Sequence, residues 1–232
     1  DDCDDSDPSK SPYNPELCDG LDNNCDDVVD GDGIVTALNN GELSDVSEQF
    51  AGTIDNPASV VVDTDLQFCS GTYYANLVLS GDVSLSGLDA STTVLDGGGA
   101  ASVIYSEDDG ASISVDGLTI QNGFAHMEGL YGHVSGGGIF SAGEEVSVFL
   151  DSVIVYGNTA GGTFSEGLGG GVYIENGSLS MTLSTVSNNT ASFGGGIWVF
   201  GDVDIWDSSF TSNTAAAHID YGGSGGGLYV VP

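Results

Sequence analysis

The sequence predicts an all-β chain wound as a parallel β-helix, a solenoid, with a small irregular acidic module in front of it. Three observations carry this. A short element recurs as Asn158-Thr159-Ala160, Asn189-Thr190-Ala191 and Asn213-Thr214-Ala215, with a looser copy at Asn122-Gly123-Phe124-Ala125. A glycine triplet follows each copy, at 136–138, 169–171, 194–196 and 225–227, and then an aliphatic–aromatic pair: Ile139-Phe140, Val172-Tyr173, Ile197-Trp198 and Leu228-Tyr229. Between these markers lie short period-two runs bounded by Gly, Asp and Asn, the pattern of short strands and turns. Several strands per repeat of about 24 residues, with no helix between them, fit stacked coils.

Composition bounds the function. The 232 residues carry 35 Asp plus Glu against one basic residue, Lys10, for a net charge of −34. Nucleic acids and anionic lipids are excluded as partners, because their phosphates need Lys and Arg. A base, clamp or electrophile made from Arg or Lys is excluded unless a partner supplies it. Disorder is excluded as well: 40% of the residues are hydrophobic, and nine Tyr, nine Phe and two Trp can fill a core. No apolar run is long enough for a transmembrane segment. No secretory leader is recognisable. The chain starts inside an acidic motif and stops after a strand-like run, so it reads as a piece of something longer. A monomer is expected.

Residues 1–33 form the acidic module. Cys3, Cys18 and Cys25 lie here and Cys69 lies beyond. Four cysteines allow three pairings, all open at this point. Spacings of 15 and 7 with no Cys-x-x-Cys favour disulfides over zinc, and hence an oxidising compartment. So many carboxylates in one short stretch call for a hard divalent cation. The second half fits an EF-type loop in part. With Asp22 at position 1, Asn24 falls at 3, Asp26 at 5, the Val28 carbonyl at 7 and Asp30 at 9. Asp27 stands where the loop prefers Gly, and Gly33 where a bidentate Glu belongs, so Asp32 is the expected stand-in. In the first half Asp2, Asp4, Asp5 and Asp7 converge, with Glu16 eleven residues beyond Asp5, which allows a second ion. Asp19 lies between the two clusters.

This segment resembles the MopE-type metal-binding motif. The matching residues are Asp2-Cys3-Asp4-Asp5-Ser6-Asp7, Pro12, Glu16, Cys18-Asp19-Gly20, Asp22-Asn23, Cys25-Asp26 and Asp30. Asn24 and Asp27 depart from the family's usual Asp and Gly. The resemblance implies a metal site in a secreted bacterial protein, and the family's name carries a link to copper. The ligand chemistry points to calcium instead. Copper prefers imidazole, thiolate or thioether, and the module has no His or Met.

Residues 34–59 connect the two parts. Leu43, Val46 and Phe50 have helical spacing, which predicts a cap over the first coil. Residues 60–232 form the β-helix, with strands at 76–80, 83–86, 112–115, 146–150 and 203–206. About seven coils at about 4.8 Å each make a rod near 35 Å. Inward residues form aliphatic stacks, and the repeated Asn forms an amide ladder at one corner. The region resembles right-handed parallel β-helix proteins with polymorphic outer-membrane-type repeats, marked by a GG-aliphatic element and an FxxN element. Phe210-Thr211-Ser212-Asn213 matches the second element and Val186-Ser187-Asn188-Asn189 nearly does. The opening coils, from Cys69 to Gly99, also resemble secreted β-helix proteins. That resemblance implies the fold and leaves function open, since the fold hosts lyases, hydrolases, adhesins and stalks.

Lyase chemistry of the pectate-lyase kind needs a basic residue and is excluded. A hydrolase needs only paired carboxylates. Asp116, Asp151 and Asp207 each follow an alternating strand, and their repetition predicts a turn role. Glu107-Asp108-Asp109-Gly110 reads as a solvated loop tip, and Glu144-Glu145 as a guarded surface turn. His126, His133 and His218 lack metal spacing and fall in inserted loops. If Ile139, Val172, Ile197 and Leu228 point inward, Phe140, Tyr173, Trp198 and Tyr229 form an outward aromatic strip that takes a polysaccharide or a surface protein. The expected molecule is a secreted or cell-surface calcium-binding rod, structural or adhesive. The alternative is a carbohydrate-active hydrolase using paired surface Asp.

Overall fold

The computed structural model describes residues 7, 10–125, 134–161, 166–216 and 222–232. Its strands pair in one 18-stranded and one 4-stranded sheet. The larger sheet is mixed. Val35–Asn39 pairs antiparallel with Glu42–Asp45 and with Asp65–Phe68, while the strands after residue 58 pair parallel with one another. Among the described residues no helix is long and apolar enough to cross a membrane.

Four parallel ladders run through the chain. The first takes Ala58–Val62, the end of Gly71–Leu79, Ile104–Ser106, Ile139–Ser141, the start of Val172–Thr182, the start of Ile197–Trp206 and Leu228–Val231. The second takes Asp65–Phe68, Val83–Gly87, Ser112–Asp116, Val146–Asp151 and the ends of the two long strands. The third takes the start of Gly71–Leu79, then Thr93–Asp96, Thr119–Gln121, Ile154–Tyr156, Thr185–Ser187 and Ser209–Thr211. The small sheet stacks Phe124–Ala125, Thr159–Ala160, Thr190–Ala191 and Thr214–Ala215.

Register explains the core. Alternate residues of each short strand face the same side, so in-register partners of like type build columns. Leu77, Ile104, Ile139, Val172 and Ile197 form one, fully buried throughout. Leu85, Val115, Leu150 and Met181 form another. These are the aliphatic stacks expected from the sequence pattern. Toward the C-terminal end the equivalent residues Val203, Ile205, Phe210 and Leu228 are only half-buried.

The corners account for the repeated Asn and Gly. Asn158 and Asn189 are fully buried and Asn213 follows in register. Their side-chain oxygens accept N–H groups from the preceding repeat, and their amide nitrogens donate to Ile120, Val155 and Val186 carbonyls. The expected amide ladder is present. The first glycine of each triplet, Gly136, Gly169, Gly194 and Gly225, has φ between 59 and 67°, where only Gly sits without cost. The third packs against the next triplet: a Cβ at Gly171 would lie 2.7 Å from the Gly196 carbonyl oxygen.

The connector differs from its expectation. Leu43 lies in a strand, not a helix, and only Ser47–Phe50 forms a 3-10 turn. The cause is Asn40-Gly41, both at positive φ (51° and 86°), which closes a two-residue hairpin. Phe50 still reaches the core, edge-on to Phe68 at 5.4 Å and to Tyr73 at 6.4 Å.

Candidate metal centre

The acidic module is fastened to the strands that follow it. Cys18 and Cys69, both fully buried, form a disulfide across a separation of 51 residues. Cys25 is disulfide-bonded as well. The Cys18 N–H donates to Thr36 Oγ1 at 2.8 Å, Gly33 N–H to the Ser70 carbonyl at 2.8 Å, and Cys69 N–H to the Ile34 carbonyl at 3.0 Å. The Tyr73 hydroxyl sits 2.9 Å from both the Ile34 and Cys69 carbonyl oxygens. Burial, with the Asp32 carboxylate nearby, pushes its pKa up. The start of the third ladder therefore anchors the end of the module.

Within the module, side-chain oxygens fold the chain by accepting backbone N–H groups, the usual behaviour of Asx residues in turns. Asp30 Oδ1 accepts from Asp19 and Gly20, at 2.9 and 2.8 Å. Asn23, nearly fully buried, accepts from Leu17 at 3.0 Å. Glu16 accepts from Asn23 and Asn24 through its two oxygens, each at 3.3 Å. Asp22 accepts from Asp26 and Asp27, Asn24 from Asp26, and Asp26 from Val28. Asp27, at the loop position that favours Gly, has φ 69°. It adopts the left-handed turn that the glycine would, a conformation Asp tolerates better than most residues.

This folding brings three carboxylates together. One oxygen each from Glu16, Asp22 and Asp26 lies within 4.8 Å of the others. Oxygens on opposite sides of a calcium ion, each about 2.3 to 2.6 Å away, are about 5 Å apart, so the group fits one coordination sphere. Cys18, Asp30 and Cys69 also cluster, but both sulfurs are committed to the disulfide. Of the other residues singled out in the sequence, Asn24 lies in the turn beside Asp26 and Asp19 contacts Asn23 at 3.4 Å. Asp30 is engaged with the Asp19–Gly20 backbone, Asp32 lies toward Tyr73, and Val28 is exposed. Asp7 sits 3.8 Å from the Lys10 ammonium. Asp2, Cys3, Asp4 and Asp5 lie outside the described residues, as do His126, His133 and His218.

The aromatic residues do stack, but not as an open strip. Tyr105, Phe140, Tyr173 and Trp198 form a column with ring centroids 5.0, 5.3 and 4.8 Å apart. Phe140 and Tyr173 are only 6% and 7% exposed. Each is covered by rings above and below, and the side-chain-free corners at Gly136 and Gly169 let backbone pass against them. Trp198 remains half-buried, and Tyr229, next in register, meets Phe193 edge-on at 5.9 Å.

The three Asp expected at one repeat position do not share it. Asp116 and Asp151 are in register. The next two positions of that column are Thr182 and Trp206. Asp207 lies one step further, at φ 47°, equivalent to Gly117, Ser152 and Leu183, all at positive φ. The pKa of Asp116 is raised, by desolvation first and by the Asp151 carboxylate second. The loop read as solvated also braces its neighbours. Asp108 accepts the Gly81 N–H at 2.7 Å and Asp109 the Glu144 N–H at 2.9 Å.

No curated protein and no solved structure matches the chain. Residues 2–31 match a family model, the Cu-binding MopE metal-binding motif, which spans the acidic module and includes Glu16, Asp22 and Asp26.

Proposed function

We propose that this chain is a secreted or cell-surface calcium-binding protein, in which a right-handed parallel β-helix carries a metal module at its N-terminal end. The observation that carries the reading is the convergence of Glu16, Asp22 and Asp26 inside the segment that matches the metal-binding motif. Oxygen-only ligands suit calcium and not copper. The ladders support the β-helix, since successive repeats pair parallel and in register; the right hand is what the resemblance of the repeats implies. Asn24, Asp19, Asp30 and the Val28 carbonyl complete or buttress the site, Asp32 stands outside it toward Tyr73, and Asp2, Asp4, Asp5 and Asp7 supply a second one. The role is structural or adhesive. Calcium stiffens the joint between module and rod, and the acidic surface suits saline surroundings, where repulsion is screened. Calorimetric titration of the intact chain with calcium, magnesium and copper tests this. Saturable binding preferring calcium supports it. Copper binding without calcium binding overturns it.

One observation favours a second reading, a carbohydrate-active hydrolase. Asp116 and Asp151 are in-register neighbours beside a cavity of about 460 Å³ lined by Asp89, Asp116 and Ser152. Neighbouring strands place such a pair about 5 Å apart, the spacing of retaining glycosidases. Release of reducing sugar from acidic or neutral polysaccharides, abolished by Asp151→Asn, would establish it.

A further inference from the structure

Beside the aromatic column, one corner of the rod steps inward. Four residues, 142–145, connect Ser141 to Val146. In the next coil two residues, Glu175 and Asn176, cover the same register interval, and in the coil after it one, Phe200. The strand pairing carries a bulge at that point. Bulges of this kind re-aim side chains and often border functional sites. The shrinking turns leave the loop of Glu144 overhanging a concavity of about 350 Å³, lined by Ala142, Glu144, Tyr173, Glu175, Trp198 and Phe200.

The ledge is held in place before any ligand arrives. Its Glu144 N–H donates to Asp109 at 2.9 Å, and its carbonyl accepts from Gly110 at 2.7 Å. Asn176 Nδ2 donates to Glu144 Oε2 at 2.6 Å. Gly143 packs so closely on the Asp108 carbonyl that no Cβ would fit. The floor is the end of the ring stack, Tyr173 on Trp198 at 4.8 Å. Glu144 and Glu175 make the field there negative; burial first and the Glu175 carboxylate second push the Tyr173 pKa up to about 12. Phe200 is 40% exposed at the rim.

We propose that this concavity binds an arginine side chain presented by a partner polypeptide. A guanidinium is planar and stacks on an indole while its N–H groups fork to carboxylates. Trp198 supplies the ring, and Glu144 and Glu175 supply the carboxylates. This chain offers no cation of its own to the site, since its one basic residue is Lys10 in the acidic module. Charge complementarity therefore selects a basic partner, independently of the metal module.

The test uses the intact chain carrying Trp206→Phe, which leaves Trp198 as the single tryptophan, excited selectively over tyrosine, in buffer with chelator. It is titrated with N-acetyl-arginine methylamide, with the neutral isostere N-acetyl-citrulline methylamide, and with cellobiose. The proposal expects a saturable change in Trp198 emission with the arginine probe, at least about fivefold weaker with citrulline. Glu175→Gln and Glu144→Gln should each weaken it by a similar factor while circular dichroism stays unchanged. Equal response to arginine and citrulline, insensitivity to both Glu substitutions, or binding of cellobiose alone would overturn it; the last would assign a sugar subsite instead.

Discussion

The Asn189 side-chain oxygen accepts two hydrogen bonds from Asn158, one from its backbone N–H at 2.9 Å and one from its amide at 3.0 Å. Both residues are fully buried. Asn189 in turn donates to Asn213 and to the Val155 carbonyl. Its removal strands the two Asn158 donors and the Val155 carbonyl, while Asn213 Oδ1 keeps the backbone N–H of residue 189. Asn189→Ala should lower stability by about 2 to 4 kcal/mol, measured as a shift in the urea midpoint.

Leu183 has φ 50° at a turn where neighbouring repeats use Gly117, Ser152 and Asp207. Its side chain is 62% exposed, so little packing offsets the backbone cost. A left-handed non-glycine residue costs about 1 to 2 kcal/mol, less for Asn. Leu183→Asn should therefore stabilise the protein, by about 0.5 to 1 kcal/mol on the same scale, read as a higher thermal midpoint.

Asp116 has its carboxyl pKa raised by desolvation and by Asp151. A raised folded-state value favours the protonated form. Its contribution is therefore intact below the ordinary carboxylate range and lost as pH rises through the folded value. At pH 7 the ionised group costs stability. Asp116→Asn should raise the thermal midpoint at pH 7, and the difference should vanish near about pH 3.

The Cys18–Cys69 disulfide closes 51 residues and ties the module to the start of the sheet. Loop-closure entropy puts its contribution at about 4 kcal/mol. A Cys18→Ala/Cys69→Ala variant should lose about that much in urea unfolding. Calcium affinity should fall with it, because Glu16 is held two residues from the bridge.

Much of the all-β pattern is legible in the sequence. The Asn and Gly repeats mark turns, and the aliphatic positions mark columns, because both recur once per repeat. The features that escape the sequence depend on contacts between distant residues or on register. Asn40-Gly41 is a readable hairpin signal, overshadowed by the chance helical spacing of Leu43, Val46 and Phe50. Asp207 reads as equivalent to Asp116 and Asp151 because each follows an alternating run. Pairing of Ile205 with Met181 places Trp206 in that slot instead. Spacing groups Glu16 with the first acidic cluster. Its carboxylate instead lies on the Asn23 and Asn24 amides, a fold of the module that residue spacing does not reveal.

The central claim is that Glu16, Asp22 and Asp26 hold one calcium ion. The most direct measurement is the calcium affinity of the intact chain, by calorimetry, for Glu16→Gln, Asp22→Asn, Asp26→Asn and, as a contrast, Asp32→Asn. The account predicts losses of at least about tenfold for the first three and a much smaller change for the fourth. An affinity untouched by Glu16→Gln, or lost equally with Asp32→Asn, would contradict it.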